Sequence, residues 1–294
     1  MKKFIQNILI LAFIYLLVNL FLYQFLLKDL VFDKYLDLSS NSKNYVLSDS
    51  HGEAINDELF NKIGISNLSF ASDSYFDIYL KTCNLIRNKG VDTLYITADD
   101  HTLSPYRESM NNLDRSVSLA NYSDYSDFIP MSRLQFIINR NVGMYLPLID
   151  TKKSMLIYET LKHYIIPRKD LTSNDVQWIN IQDKETVSQH RKEVQFSEKN
   201  ESKKLKECLI KIINLCKKND IILIGLKFPI TTIYSNKIEG LSYNPDKIIK
   251  SHGFKVIDLK TGFDDKLFKD QDHLNEPGAK EFIKRLYIQI AGLN

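Results

Sequence analysis

Apolar positions along this chain fall into two kinds of run. The first, Phe4 to Leu27, is interrupted only by Gln6, Asn7, Asn19 and Gln24 and is bounded by Lys2, Lys3, Lys28 and Asp29. It exceeds the roughly 20 residues a helix needs to cross a bilayer. It has neither the short apolar core nor the small-residue cleavage site of a signal peptide, so it predicts an uncleaved membrane anchor over residues 1–28. Lys2 and Lys3 favour a cytoplasmic N-terminus. The chain is therefore expected to be a single-pass protein of the cell membrane with its bulk on the far side.

The remaining runs are short and alternate in type. Residues 29–43 read as a polar linker. Tyr45-Val46-Leu47 reads as a brief strand ending at the turn-forming cluster Ser48-Asp49-Ser50-His51-Gly52, with a helix from about Glu53. A second strand is expected within Gly64–Phe70, ending at Ser72-Asp73-Ser74. Tyr75 to Asn88 carries Phe76, Tyr79, Leu80, Cys83 and Ile86 at helical spacing, and Lys89-Gly90 closes it. Thr93–Thr97 is β-rich and runs into Asp99-Asp100-His101. In the middle, Met131–Tyr145 and Ser154–Tyr164 read as helices and 167–199 as polar and irregular. Ser202–Lys218 is amphipathic and helical, and Ile221–Leu226 is the continuous apolar strand of a parallel sheet. A further strand spans Phe254–Leu259. The last helix begins near Asn275, an N-cap with Pro277 in the first turn, and runs to about Ile290.

Strand–helix alternation at these lengths predicts an α/β fold with a parallel sheet, spanning 44–294 with an insertion at about 105–200. Active sites in such sheets gather at the carboxyl ends of strands. The clusters at 48–52, 72–74 and 99–101 each fall there.

Composition narrows the function without naming it. The 294 residues are 44% hydrophobic and 26% charged, which suits a folded core. Thirty-nine basic against 36 acidic residues leave a net charge of +3 with no basic block, so a nucleic-acid partner has no electrostatic support. Cys83, Cys208 and Cys216 form no CxxC pair, and they read as small buried thiols. No cofactor is expected. A metal held by His51, Asp99, Asp100 and His101 is chemically conceivable, but the chain shows no regular ligand motif, so none is assigned.

A serine attacks an acyl carbon when a base takes its proton and a third group holds the base. Ser50, between a strand and a helix, is placed on a tight turn near backbone N–H groups. Asp270-Gln271-Asp272-His273 lies before the last helix, and its three-residue spacing lets Asp270 reach the His273 imidazole.

These blocks resemble those of the SGNH or GDSL-like hydrolases. Ser48-Asp49-Ser50-His51 is similar to the family's GDS block in the form seen in alginate O-acetylation proteins. Asp270-x-x-His273-Leu274-Asn275, followed by Gly278-Ala279 and a helix, is similar to its closing DxxH block. The resemblance implies a three-layer α/β/α sandwich around a mainly parallel five-stranded sheet. It also implies Ser50 as nucleophile, His273 as general base and Asp270 as its orienter. Two middle blocks depart from the pattern. Ser72 stands where the oxyanion glycine is usual, although a backbone N–H does not require glycine. Ala98-Asp99-Asp100-His101 replaces the Gly-x-Asn block, and an ionised Asp there would repel an oxyanion. Either His101 donates to the substrate, or one Asp is structural, or the site serves a different acceptor. His51 reads either as a substrate contact or as a local hydrogen-bonding residue.

The function so implied is an extracytoplasmic O-acetyltransferase or acetylesterase acting on a cell-surface polysaccharide through a Ser50-acyl intermediate. Its partners would be the acylated or acceptor glycan, the membrane through residues 4–27, and a membrane-bound protein delivering acyl groups. The rival expectations are a non-catalytic glycan-binding protein on the same scaffold and a lipid-directed esterase.

Overall fold

The structure, a computed structural model, describes residues 1–33, 35, 42–126, 129, 131–142, 145–149, 154–155, 157–158, 161–162 and 177–292. The chain divides into two compact units, Met1–Asp37 with Asp114–Asp170, and Leu38–Leu113 with Leu171–Asn294.

In the first unit, helix α1 (Lys2–Leu22) continues as a π-helical segment over Tyr23–Asp33. The stretch Lys2–Lys28 is long and apolar enough to cross a membrane, and its side chains are almost all exposed. The helix expected over Met131–Tyr145 is broken into an α-helical turn, Arg133–Ile137, and a π-helical turn, Ile138–Val142. Of the helix expected at 154–164, residues 154, 155, 157, 158, 161 and 162 are helical, and the others lie outside the described residues.

The second unit is an α/β structure built on a five-stranded, all-parallel sheet in the order β2-β1-β3-β4-β5. Its strands are β1 (Asn44–Leu47), β2 (Ser66–Asn67), β3 (Thr93–Thr97), β4 (Ile222–Lys227) and β5 (Lys255–Asp258). Val46, Tyr95, Ile224 and Leu226 bring strand side chains into a core shared with Phe228, Phe282 and Leu286. Strand β2 is shorter than expected because Asn67 turns the chain. Its side-chain amide donates to the carbonyls of Gly52 and Ile55 (3.0 Å each) and its oxygen accepts the Ser69 N–H (3.0 Å). Backbone pairing with β1 nevertheless continues, from Leu68 N–H to Val46 O (2.9 Å) and from Phe70 N–H to Ser48 O (3.1 Å).

The helices around the sheet start where the sequence places caps. Helix α2 (Ser50–Glu53) has Asp49 as its N-cap, so it opens at Ser50 itself rather than near Glu53. Helix α3 (Tyr75–Asn88) carries a capping box in which Ser74 accepts from Phe76 N–H and Asp77 accepts from Ser74 N–H at 2.8 Å. Helix α4 (Lys184–Gln195) lies in the stretch read as irregular. Its inward positions are Ser188 and Gln195 while Val187 and Val194 are exposed, so it has no apolar stripe to reveal it. Its start is set by Asp183, which accepts the Thr186 N–H at 3.1 Å. Helix α5 (Lys203–Lys218) buries Leu205, Cys208, Leu209, Ile212, Ile213 and Cys216 along one face. All three cysteines are free and buried. Helix α6 (Glu276–Ala291) begins at the cap Asn275, which accepts the Gly278 N–H at 3.0 Å.

Gly52 is fixed by close approach. A Cβ there would lie 2.4 Å from Ser69 Oγ and 2.8 Å from Ser48 Cβ, so α2 packs onto the loop after β2 only without a side chain. Gly52→Ala is expected to destabilise the fold by about 1–3 kcal/mol, the usual range for overpacking. Denaturant unfolding of the two proteins measures it, and unchanged stability would mean that this contact relaxes freely.

Candidate active site

Two loops at the carboxyl ends of the strands carry the chemistry. Leaving β1, the chain passes through Ser48 and Asp49 and enters α2 at Ser50. Asp49 accepts the His51 N–H at 3.1 Å, an N-cap bond that holds the turn and leaves Ser50 as the first helical residue. The second loop is closed by an antiparallel bridge between Phe268 and Leu274 and by Lys269 N–H to His273 O at 3.0 Å. Within it, Asp270 Oδ1 accepts the N–H groups of Asp272 (3.1 Å) and His273 (2.8 Å). This Asx-type turn is why a three-residue spacing brings carboxylate and imidazole together.

The result is a continuous hydrogen-bonded chain. His273 Nε2 lies 2.8 Å from Ser50 Oγ, and His273 Nδ1 lies 2.9 Å from both oxygens of Asp270. With Nδ1 donating to Asp270, Nε2 is left as an acceptor facing the serine hydroxyl. Ser50, His273 and Asp270 are all only partly buried.

A second carboxylate also touches the base. Asp272 Oδ1 is 3.2 Å from His273 Nδ1, and Asp272 Oδ2 accepts from Arg191 Nε (2.7 Å) and Gln195 Nε2 (3.1 Å). Burial alone would raise the Asp272 carboxyl, but Arg191 and the two nearby histidines hold it well below the usual carboxylate range. Burial likewise pulls His273 down, yet Asp272 and Asp270 outweigh it and raise the imidazole above its ordinary 6.5. Asp272, Arg191 and Gln195 are absent from the residues singled out by sequence. The one available signal for the latter two is their i, i+4 spacing, which puts both on one face of α4.

His51 is 4% exposed, and both ring nitrogens face carboxylates. Nδ1 is 2.7 Å from Asp99 Oδ2, and Nε2 is 3.5 Å from Asp272 Oδ2 without hydrogen-bond geometry. Burial disfavours its charge, but Asp49 and Asp99 hold its pKa well above 6.5. Asp99 also accepts the Phe228 N–H at 2.7 Å, which ties the β3 loop to the end of β4. His101 Nε2 lies 3.7 Å from Asp49 Oδ2 and its ring stacks on Tyr106. Burial pushes the His101 pKa below 6.5, against the opposing pull of Asp49. Arg107 completes the set, with Nη2 3.2 Å from Asp49 Oδ2 and donating to Asp73 O.

The other two sequence candidates are placed differently. Asp100 is taken up by Lys227 (2.7 Å), Lys260 (2.8 Å) and Ser242 (2.8 Å), so both carboxylate oxygens are already engaged. Ser72 has φ +70°, the left-handed region that favours glycine. Its loop is pinned by Asn112, which donates to Ala71 O (2.7 Å) and Asp73 Oδ1 (2.8 Å), and by Lys81, which donates to Leu68 O (2.7 Å) and Asp73 Oδ2 (2.6 Å).

Among the described residues, two groups of ligand atoms converge closely enough for a metal ion, namely His51, Asp272 and His273, and Asp49, His51 and Asp99. Both include His51, whose Nδ1 already shares a proton with Asp99, and Asp272 is claimed by Arg191. A cation would have to displace that proton or compete with the guanidinium. A cavity of about 460 Å³ is lined by residues that include Asn56, Gln177, Lys269, Asn275 and Glu276, next in sequence to the His273 loop. A cavity of about 540 Å³ lies at the opposite, amino-terminal ends of the strands, at Asn44, Thr93, Ile222 and Lys255, away from Ser50.

Removing the second carboxylate should lower the His273 pKa, because one negative neighbour is lost while Arg191 stays. Asp272→Asn is expected to move the NMR titration of the His273 ring down by roughly one pH unit. An unmoved titration would mean that Asp272 is electrostatically silent. Compared with known proteins, the chain matches no family model, and no curated protein is significantly similar to it.

Proposed function

We propose that this chain is a membrane-anchored serine acyl-transfer enzyme of the SGNH type, an O-acetyltransferase acting on a cell-surface polysaccharide through an acyl-Ser50 intermediate. The observation that carries the reading is the Ser50 Oγ–His273 Nε2–Asp270 chain, at 2.8 and 2.9 Å. The parallel five-stranded sheet, with both loops at its carboxyl ends, supports it further, and the helix Lys2–Lys28 supports the anchor.

In this mechanism Ser50 Oγ attacks the acetyl carbonyl carbon of the donor while its proton passes to His273 Nε2. Asp270, on Nδ1, holds the tautomer and stabilises the imidazolium that forms. The tetrahedral intermediate collapses, the donor's ester oxygen leaves with the proton from His273, and acetyl-Ser50 remains. An acceptor hydroxyl then attacks the acetyl-enzyme, again giving its proton to His273, and Ser50 Oγ leaves and regains a proton. The N–H of Ser50, which as the first helical residue has no partner within α2, and the N–H of Ser72 are our candidates for binding the oxyanion. We assign the polar cavity beside Asn275 and Glu276 to the saccharide acceptor. His51 and His101 are read as residues under the nucleophile turn, since both are buried against carboxylates.

Steady-state hydrolysis of a soluble acetyl ester tests the chemistry. Ser50→Ala and His273→Ala are expected to lower kcat/KM by roughly 10⁴-fold or more, and Asp270→Asn by about 10²–10⁴-fold. Wild-type rates in the Ser50 variant would sink the enzyme reading and favour a binding protein. Adding an acceptor oligosaccharide should speed donor turnover and yield the acetylated sugar. Rapid deacetylation indifferent to acceptor would reassign the protein as an esterase, and activity confined to micellar acyl esters would make it lipid-directed.

A further inference from the structure

Within the first compact unit, the described parts of residues 114–170 meet the anchor helix well inside its apolar stretch. Asn19, one of four amide side chains in that stretch, is fully buried. Its Nδ2 donates to Tyr15 O at 2.8 Å, and its Oδ1 accepts the N–H of Leu148 at 2.9 Å. Tyr145 packs edge-on against Tyr23, with ring centroids 5.1 Å apart, and Ile157 is buried with Leu27. Lys28 lies nine residues beyond Asn19 (28 − 19), roughly 10–13 Å along a helix. With α1 across a bilayer, Leu148 would sit that far inside the level of Lys28, a large part of one leaflet.

The backbone there is suited to such a depth. Leu146 N–H donates to Val142 O (2.8 Å), residue 147 is proline and has no N–H, Leu148 N–H is taken by Asn19, and Ile149 N–H donates to Leu146 O (3.0 Å). The backbone donors from 146 to 149 are all engaged, and Pro147 O accepts the Ser154 hydroxyl at 3.2 Å, which meets part of what a medium without water requires. Large apolar side chains are exposed on this segment among polar ones (Ser132, Gln135, Asn139 and Asn141). Leu134 is 68% exposed, Ile149 58%, Met155 56% and Tyr158 56%, a density of bare apolar surface that water would disfavour. Arg133 and Arg140 on the same segment have stems long enough to carry their charges to the interface.

We propose that the exposed apolar side chains Leu134, Ile138, Ile149, Met155 and Tyr158 enter the lipid bilayer beside α1, so that these residues flank the anchor helix within the membrane. The partner is lipid acyl chain. Asn19 is the polar clasp that holds the flank to the helix, and its burial sets it apart from the other amides of the run. The inference rests on reading α1 as a membrane anchor.

Spin labels on the full chain in vesicles of phosphatidylcholine and phosphatidylglycerol test it. Leu134→Cys, Ile149→Cys and Tyr158→Cys report on the flank, Ile10→Cys on the anchor and Val187→Cys on an aqueous site. The wild-type chain, whose cysteines are buried, gives the labelling background. Collisions with oxygen, relative to a water-soluble nickel chelate, should be several-fold higher at 134, 149 and 158 than at 187. Asn19→Val should move position 149 towards the aqueous value. Bilayer burial at 10 with aqueous values at 134, 149 and 158 would overturn the flank and leave the anchor standing. Aqueous values at 10 as well would overturn the anchor and the flank with it. Shielding of the flank from both reagents would assign the face to a protein partner and overturn the lipid assignment.

Discussion

A single buried imidazole ties together the three loops on which the site depends. His51 follows the serine, and its ring sits between Asp99 at the end of β3 and Asp272 beside the catalytic-type histidine. Four carboxylates (Asp49, Asp99, Asp270 and Asp272) crowd this region, opposed by Arg107, Arg191 and His51. Carboxylates taken out of water are tolerated only when paired and hydrogen-bonded. The geometry of Ser50 and His273 is therefore set by charge pairing beneath them as much as by the turn that bears the serine. The balance has a chemical consequence. Asp270 and Asp272 both approach Nδ1 of His273, and the two carboxylates together raise the imidazole above its ordinary 6.5. An array of this kind favours movement of the serine proton onto the imidazole.

The chain shows how much of such a site a sequence carries. Ser50, Asp270 and His273 were legible because each is fixed locally, the serine by strand and cap, the pair by one Asx turn. The strand cores and the helices at 75–88, 203–218 and 276–291 were legible from apolar periodicity and caps. Helix α4 was not, because its buried positions are Ser188 and Gln195. Arg191 and Gln195 went unseen with it, since their importance comes from a contact with Asp272 about eighty positions away in sequence. In the sequence Asp99 and Asp100 form a single departure within one block. The structure separates them, one under the nucleophile turn with His51 and the other bound to Lys227 and Lys260. Neighbours in sequence on opposite faces of a chain leaving a strand have no reason to share a role.

The loop after β2 illustrates the same separation of local and distant causes. Ser72 adopts a conformation that favours glycine, and the strain is held by Asn112, Lys81 and Arg107, which engage its neighbours from three other parts of the chain. Ser72 therefore holds a left-handed backbone without being a glycine. Asn19 combines both kinds of cause, donating to Tyr15 O within its own helix and accepting the distant Leu148 N–H.

The central claim is that Ser50 is a nucleophile activated by His273. Reaction of the full chain with a fluorophosphonate probe, followed by mass mapping of the adduct, tests it most directly. A single adduct on Ser50 that is lost in His273→Ala is the predicted result. A folded protein that stays unmodified, or is modified elsewhere with Ser50 untouched, would contradict it.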